Sequence, residues 1–381
     1  SACLVGSEMC IRDSSEMKTL LKTSSLAVLA TAVAGFATSA SAQEVLNIYN
    51  WSDYIGEETV ANFEKEFGVK VNYDVYDSNQ LVEAKLLAGN SGYDIVVPTL
   101  ADAERLIKAK LFQPIDKSKL SNYDNLDPII LEQQAKYDPD NTYAVPYFWG
   151  TNGFGYNVAK IKEVLGDDAP VDSWAMIFDP EYAEKLSSCG LSLLDDPGEI
   201  VPLVNFYLGN VPEGEPTKES IESAFAQLEK IRPHVTYFHS SQYINDLANG
   251  NTCISVGWSG DVGMAALRAE EAGNGNEIKY VIPKEGTLIW FDAMMIPEDA
   301  PNPELAHKFI DYVLRPDVEA EIANYVAYAT PNLAAMELVD PALLEDEGIY
   351  PPQEVKERLK SKVEPSGRLL RTRTRMWTKL K

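Results

Sequence analysis

The stretch Val45-Leu46-Asn47-Ile48-Tyr49-Asn50-Trp51-Ser52-Asp53-Tyr54-Ile55-Gly56-Glu57-Glu58-Thr59-Val60 decides how this chain is to be read. Val45–Tyr49 is an apolar run that reads as a first β-strand, and Gly56–Val60 reads as the start of a helix. Between them, Trp51-Ser52-Asp53-Tyr54 gathers an indole, a hydroxyl, a carboxylate and a phenol on one turn. A strand-to-helix turn at the carboxyl edge of an α/β sheet is where such folds place ligand groups. Aromatic faces and a carboxylate complement an organic cation. The turn therefore points to a receptor for a small, positively charged solute.

Working outward, the same alternation repeats. Residues 57–66 read as an amphipathic helix with Val60, Phe63 and Phe67 on one side. Val69–Tyr73 alternates as a strand, and Ser78 can cap a helix running to Ala88. Asp94–Thr99 reads as a buried strand ending in a turn, followed by a helix through Ala101–Ala109. Repeated β-α units of this length predict a mostly parallel sheet covered by helices. The Pro- and aromatic-rich passage 145–157 reads as an extended crossover, with glycines where the backbone must bend. Beyond it, 171–178 and 180–186 read as helices, 191–194 as a strand, 220–231 as an amphipathic helix and 252–257 as a buried strand. Residues 278–296 form a second crossover, bracketed by Pro283 and Pro297. The expected architecture is α/β and two-lobed, each lobe a mostly parallel sheet flanked by helices. Its boundaries are 43–150 with about 293–332 for one lobe, and 151–292 with about 333–381 for the other. The closing segment, with Arg368, Arg371, Arg373 and Arg375, reads as a solvated tail or a helix packed on acidic surface.

The amino end reads differently. Met17-Lys18-Thr19-Leu20-Leu21-Lys22, an apolar run from Leu26 to Phe36 and Ala40-Ser41-Ala42 describe a secretory signal peptide over 17–42. Residues 1–16 fit no targeting signal and are read as a non-native, adapter-derived extension, leaving Cys3 and Cys10 without functional meaning. The charges of the first 42 residues cancel, so the remainder carries the full formal charge of −25. Such a balance argues against nucleic-acid or anionic-membrane partners and suits a cationic ligand. Two cysteines remain beyond the leader, Cys189 and Cys253. In an exported chain they favour a disulfide, which closes a loop of about 65 residues and stabilises by roughly 4 kcal/mol in the chain-entropy model.

Catalytic chemistry finds little support. The three histidines, His234, His239 and His307, fall in no metal-ligand spacing. There is no G-x-S-x-G elbow, P-loop or G-x-G-x-x-G run, and Gly153-Phe154-Gly155 lacks the third glycine. No catalytic residue, metal ligand or cofactor is assigned. A secreted enzyme using an acidic cleft is the weaker alternative.

Binding gathers more residues. Besides Trp51, Ser52, Asp53 and Tyr54, the candidates are Thr99 after the 94–98 strand, Asp196 and Glu199 in an acidic turn after 191–194, and Trp258 with Asp261. Trp290 with Asp292 and the phenol of Tyr328 complete the set. A lone Trp is ordinarily core, and a lone Asp after a strand is ordinarily a cap. Trp paired with Asp within three residues, at three places read as strand ends, is what raises these above the ordinary.

Asn50-Trp51-Ser52-Asp53-Tyr54, Val97-Pro98, the run 238–247, Gly257-Trp258 with Asp261 and Ile349-Tyr350-Pro351-Pro352 closely resemble the putrescine-binding periplasmic proteins, solute receptors of polyamine ABC importers. The resemblance runs from about Leu46 to the end. It implies a periplasmic binding fold (type II-like) closing on ligand at a hinge, a disulfide between Cys189 and Cys253, and the ligand-binding residues named above. It also implies a polyamine ligand, putrescine or spermidine, an ABC transporter permease as partner, a periplasmic location and a monomeric state, with no cofactor. A ligand sensor is the alternative role on the same fold. The expected arrangement places Asp53, Asp292 and Ser52 at one ammonium and Asp261, Glu199 and Thr99 at the other. Ser52 and Asp53 match the putrescine-preferring pattern, while Trp290 and Asp196 resemble the spermidine-preferring branch, so both ligands stay open.

Overall fold

The computed structural model describes residues 42–381. The expectations over residues 1–41, an adapter-derived extension and most of a signal peptide, lie outside them.

Strands β1 (Val45–Trp51), β2 (Lys70–Tyr76) and β3 (Ile95–Val96) lie parallel with β1 in the middle, each followed by a helix or turn. The helices here are Thr59–Phe67, Asn79–Leu87 and Leu100–Lys108. Thr59–Phe67 buries Phe63 against Phe309 and Tyr312 and stops at Gly68, which adopts a left-handed φ of 66°. Strand β4 (Ala144–Asn157) is buried along all 14 residues and is followed by β5 (Leu191–Leu193), β6 (Tyr237–Phe238) and β7 (Ile254–Trp258). The strands β5, β6 and β7 again run parallel, with β5 central. Strands β8 (Ile278–Val281), β9 (Thr287–Met295) and β10 (Leu359–Ser361) complete the set.

The path through the sheet is β2-β1-β3-β9-β4-β7-β5-β6, with β10 on β9 and β8 on β4. The two parallel triplets are thus joined by a central pair, β9 and β4, which run antiparallel to each other and to their neighbours β3 and β7. The architecture is the expected two-lobed α/β fold. Each lobe keeps a parallel core, and the crossover strands make the sheet as a whole mixed.

Several elements differ from the sequence reading. β2 continues through Asp74-Val75-Tyr76, because Tyr76 pairs with Trp51 and packs against the rings of Tyr49 and Trp51. The helix expected over 171–178 is only Ala175–Phe178. The second crossover is two strands, broken by a turn in which Gly286 takes φ 101°. The helix Pro197–Tyr207 gives no periodic signal because ten of its eleven residues are buried; a helix buried all round has no stripe to detect. The basic closing segment is the helix Gly367–Leu380, packed on the helices Lys218–Ile231 and Pro197–Tyr207 with Arg373 and Trp377 buried. That is the packed alternative rather than the solvated tail. Cys189 and Cys253 form a disulfide with 5.4 Å between their Cα atoms, joining the end of one helix–turn segment to the start of β7. Among the described residues, no helix is long and apolar enough to cross a membrane.

Candidate functional site

The carboxyl ends of both parallel triplets face one narrow cavity of about 30 Å³. From one triplet come Trp51 at the end of β1 with Ser52 and Tyr54 after it, Asp77 after β2 and Thr99 after β3. From the other come Glu199 in the helix after β5, Ser240 after β6, and Trp258 with Asp261 at the end of β7. Trp290 and Asp292 of β9 and Tyr328, two residues past the helix Pro316–Val326, complete the lining. This is the crevice beyond the strand ends where open α/β sheets bind ligands.

The aromatic walls are interlocked. Trp51 and Trp258 meet edge-on at 5.6 Å, Tyr54 and Tyr328 at 5.1 Å, and Trp290 and Tyr328 at 5.4 Å. Trp51 is fixed by its Nε1, which donates to Val97 O at 2.7 Å. Trp290 faces Gly150 across the β4–β9 pair, and a Cβ at Gly150 would lie 2.7 Å from the indole. The bare backbone there is what admits the ring.

The carboxylates are deeply placed. Asp292 is 5 % and Asp261 6 % exposed. The Thr99 hydroxyl donates to Asp292 at 2.7 Å. Tyr243 and Tyr328 donate to the two oxygens of Asp261, each at 2.7 Å. Burial pushes both carboxyl groups up to about 7, against the pull of these hydroxyl donors. Neither makes an ion pair among the described residues. The Tyr54 hydroxyl and Trp290 Nε1 are buried without a hydrogen-bond partner, and burial followed by the nearby Asp292 raises the Tyr54 hydroxyl. Two unpartnered buried polar atoms beside two unpaired acids describe a site shaped for a further polar group.

Glu199 is different. Its Oε1 accepts from Lys362 Nζ at 2.8 Å, and its Oε2 accepts from Asn152 Nδ2 at 2.7 Å. Lys362 is buried and also meets Asp102 at 2.7 Å and Glu364 at 3.4 Å.

Ten of the twelve expected residues line the cavity, and two do not. Asp53 sits in a left-handed turn conformation, φ 54°, and its Oδ1 accepts from Arg268 of the helix Ser259–Ala272 at 3.0 Å. Its carboxylate is drawn to the opposite rim instead of the interior. Asp196 caps the helix Pro197–Tyr207 through Gly198 N at 2.7 Å and accepts from Gln80 Nε2 at 3.1 Å. Its acid is spent on the cap and on a contact between the lobes. The expected grouping of Thr99 with Asp261 and Glu199 also differs from the arrangement found, since Thr99 is bound to Asp292. Trp290 and Asp292 lie mid-strand in β9, not at a strand end. Asp77 and Ser240 were missed. Both obey the strand-end rule, but the alternation that marks β2 stops three residues short of its end and β6, at two residues, carries no pattern.

A family profile described as bacterial extracellular solute-binding protein matches residues 58–349. The chain is 52% identical to the putrescine-binding periplasmic protein PotF of Escherichia coli strain K12, over 90% of this chain and 93% of that protein. It is 49% identical to the putrescine-binding periplasmic protein SpuD of Pseudomonas aeruginosa strain UCBPP-PA14, over 96% and 99% respectively. Among solved structures, the spermidine/putrescine ABC transporter substrate-binding protein PotD from Streptococcus pneumoniae superposes with a TM-score of 0.69 at 30% identity, covering 89% of this chain and 98% of that one. A cleft between two lobes, lined from the strand ends of both, and these matches along nearly the whole described chain agree: the chain belongs to the family of bacterial extracellular solute-binding proteins.

Proposed function

We propose that this protein is a periplasmic receptor, exported by a cleavable signal peptide, which as a monomer captures a polyamine between its lobes and delivers it to an ABC transporter permease. The observation that carries this reading is the pair Asp261 and Asp292, buried and unpaired in a slot walled by Trp51, Trp258, Trp290 and Tyr328. A diamine or triamine carries ammonium groups, each with three donors and no acceptor, separated by methylenes. The acids and the hydroxyls of Ser52 and Thr99 suit the ammonium groups, and the rings suit the stem. Each buried methylene contributes about 0.8 kcal/mol, and ammonium over an indole face adds cation–π attraction. In this reading the lobes are 43–150 with about 293–332 and 151–292 with about 333–381, closing about β4 and β9.

Isothermal titration against putrescine, spermidine, cadaverine and agmatine tests it. One-to-one binding of at least one of them, with the ligand recovered unaltered, is expected. Absence of heat with all four overturns the reading.

A further inference from the structure

Tyr328 lies outside any helix or strand. It follows Ala327, a non-glycine residue at φ 58° that closes the helix Pro316–Val326 in a left-handed conformation. From there the strap 327–332 crosses to the helix Ser259–Ala272, where Gly260 and Gly263 clear its path. A Cβ on Gly260 would lie 2.3 Å from the Tyr328 ring, and one on Gly263 would lie 3.1 Å from Ala327 Cβ. At the end of this path the Tyr328 hydroxyl donates to Asp261 Oδ1 at 2.7 Å and accepts from Asp261 N at 3.1 Å. Both capacities of the hydroxyl are thus used on one residue across the cleft.

Beneath the strap lies Glu319, fully buried on the helix that precedes it, beside further anchors from Asp127 N to Pro331 O at 2.8 Å and from Asn332 Nδ2 to Leu314 O at 2.8 Å. Its Oε1 accepts from Thr330 Oγ1 at 2.8 Å and its Oε2 from Asn332 Nδ2 at 3.2 Å. Thr330 Oγ1 in turn accepts from Asn332 N at 3.1 Å, and Thr330 N donates to Tyr350 OH at 3.2 Å. Trp149 N of the crossover strand β4 donates to Ala329 O at 3.1 Å. No lysine or arginine pairs with Glu319 among the described residues. An unpaired buried carboxyl is a costly way to fill space, and an apolar side chain of similar volume fills it more cheaply. Its two oxygens are instead used on two residues of one strap, which is a geometric role.

We infer that Glu319 is a positioning residue for ligand capture: by clamping Thr330 and Asn332 it holds Tyr328 where its hydroxyl orients Asp261 across the cleft. The inference rests on the reading of the cleft as a polyamine site. It makes a specific demand on energetic coupling, because a residue that acts through Tyr328 becomes silent once the Tyr328 hydroxyl is gone.

The test is a double-mutant cycle read by titration with the tightest-binding polyamine. Glu319→Ala is expected to weaken binding about tenfold in the unmodified background and less than about twofold in the Tyr328→Phe background. Glu319→Gln, which keeps an acceptor for Thr330, is expected to stay within about threefold of the parent. If Glu319→Ala fails to fold, Thr330→Val removes one clamp bond and is read against Tyr328→Phe in the same way. Equal losses in both backgrounds, or no loss in either, overturn the inference and leave the functional reading standing. A parent protein that binds no polyamine overturns both.

Discussion

Asp292 and Glu199 line the same slot, yet their charges are balanced by different means. Glu199 has an ammonium of the protein's own, Lys362, which it shares with Asp102 and Glu364, while Glu364 is paired at 2.6 Å with the buried Arg373. Burial alone lowers the Lys362 ammonium, but the surrounding carboxylates outweigh it and hold the group well above its ordinary range. Among the described residues, Asp292 has the Thr99 hydroxyl with the Tyr54 phenol beside it, and Asp261 has two tyrosines. The difference teaches which acids are waiting. The cluster carries its own cations, although burial still pushes Asp102 up to about 8 against the pull of Lys362. An acid held by hydroxyls alone must take up either a proton or a foreign cation.

The strongest way to break this comparison is to remove a charge from each region. Lys362→Met leaves buried carboxylates uncompensated and is expected to cost about 3–5 kcal/mol of folding stability, read as a fall in the urea midpoint of unfolding without ligand. Asp292→Asn keeps the shape and is expected to weaken polyamine binding by about 2–5 kcal/mol while leaving the unliganded protein as stable or more so. If both variants shift unliganded stability in the same direction, the two regions are not different in kind.

A smaller effect concerns protons. The folded-state values of Asp261 and Asp292, about 7, lie above the ordinary 3.8. The stability that protonation of these groups lends the unliganded protein is fully present below about pH 4 and is lost as pH rises through about 7. Polyamine ammonium groups stay charged across that window, as a lysine does with its value near 10.4. Affinity is therefore expected to rise from pH 5 to 8, with protons released on binding. Calorimetry at pH 6 in buffers of different ionisation enthalpy reads that release directly, and identical heats in all of them refute it.

The smallest effect belongs to the rim. The Asp53–Arg268 pair has both side chains about a third exposed, and exposed pairs contribute about 0–1 kcal/mol. Arg268→Ala is expected to weaken binding less than about fivefold, and more at low than at high salt. A loss comparable with that of Asp292→Asn places Asp53 among the binding acids after all.

Much of the site was legible because the chain advertises it locally. Trp51, Thr99, Trp258 and Asp261 stand at strand ends that apolar runs announce, and the α/β alternation of the first hundred described residues is regular. What stayed hidden depends on partners far away in the chain. Nothing near Asp53 reveals that Arg268 waits 215 residues on, and nothing near Glu199 reveals Lys362. Asp196 reads as a ligand acid or a cap with equal ease until Gly198 N and Gln80 are seen to bind it. Ser240 follows a two-residue strand too short to carry a period, and the partners of Glu319, Thr330 and Asn332, meet it only once the chain has turned back past its helix.

The placement of Trp290 and Asp292 on β9 has a mechanical consequence. This strand pairs with β4 and β3 at the junction of the two triplets, so in the proposed closure about β4 and β9 residues on it would have almost no lever arm. A ligand at Asp292 would then be gauged close to the fulcrum. A difference of one methylene there would be geared up into a larger displacement at the outer edge, where Asp53 and Arg268 face each other.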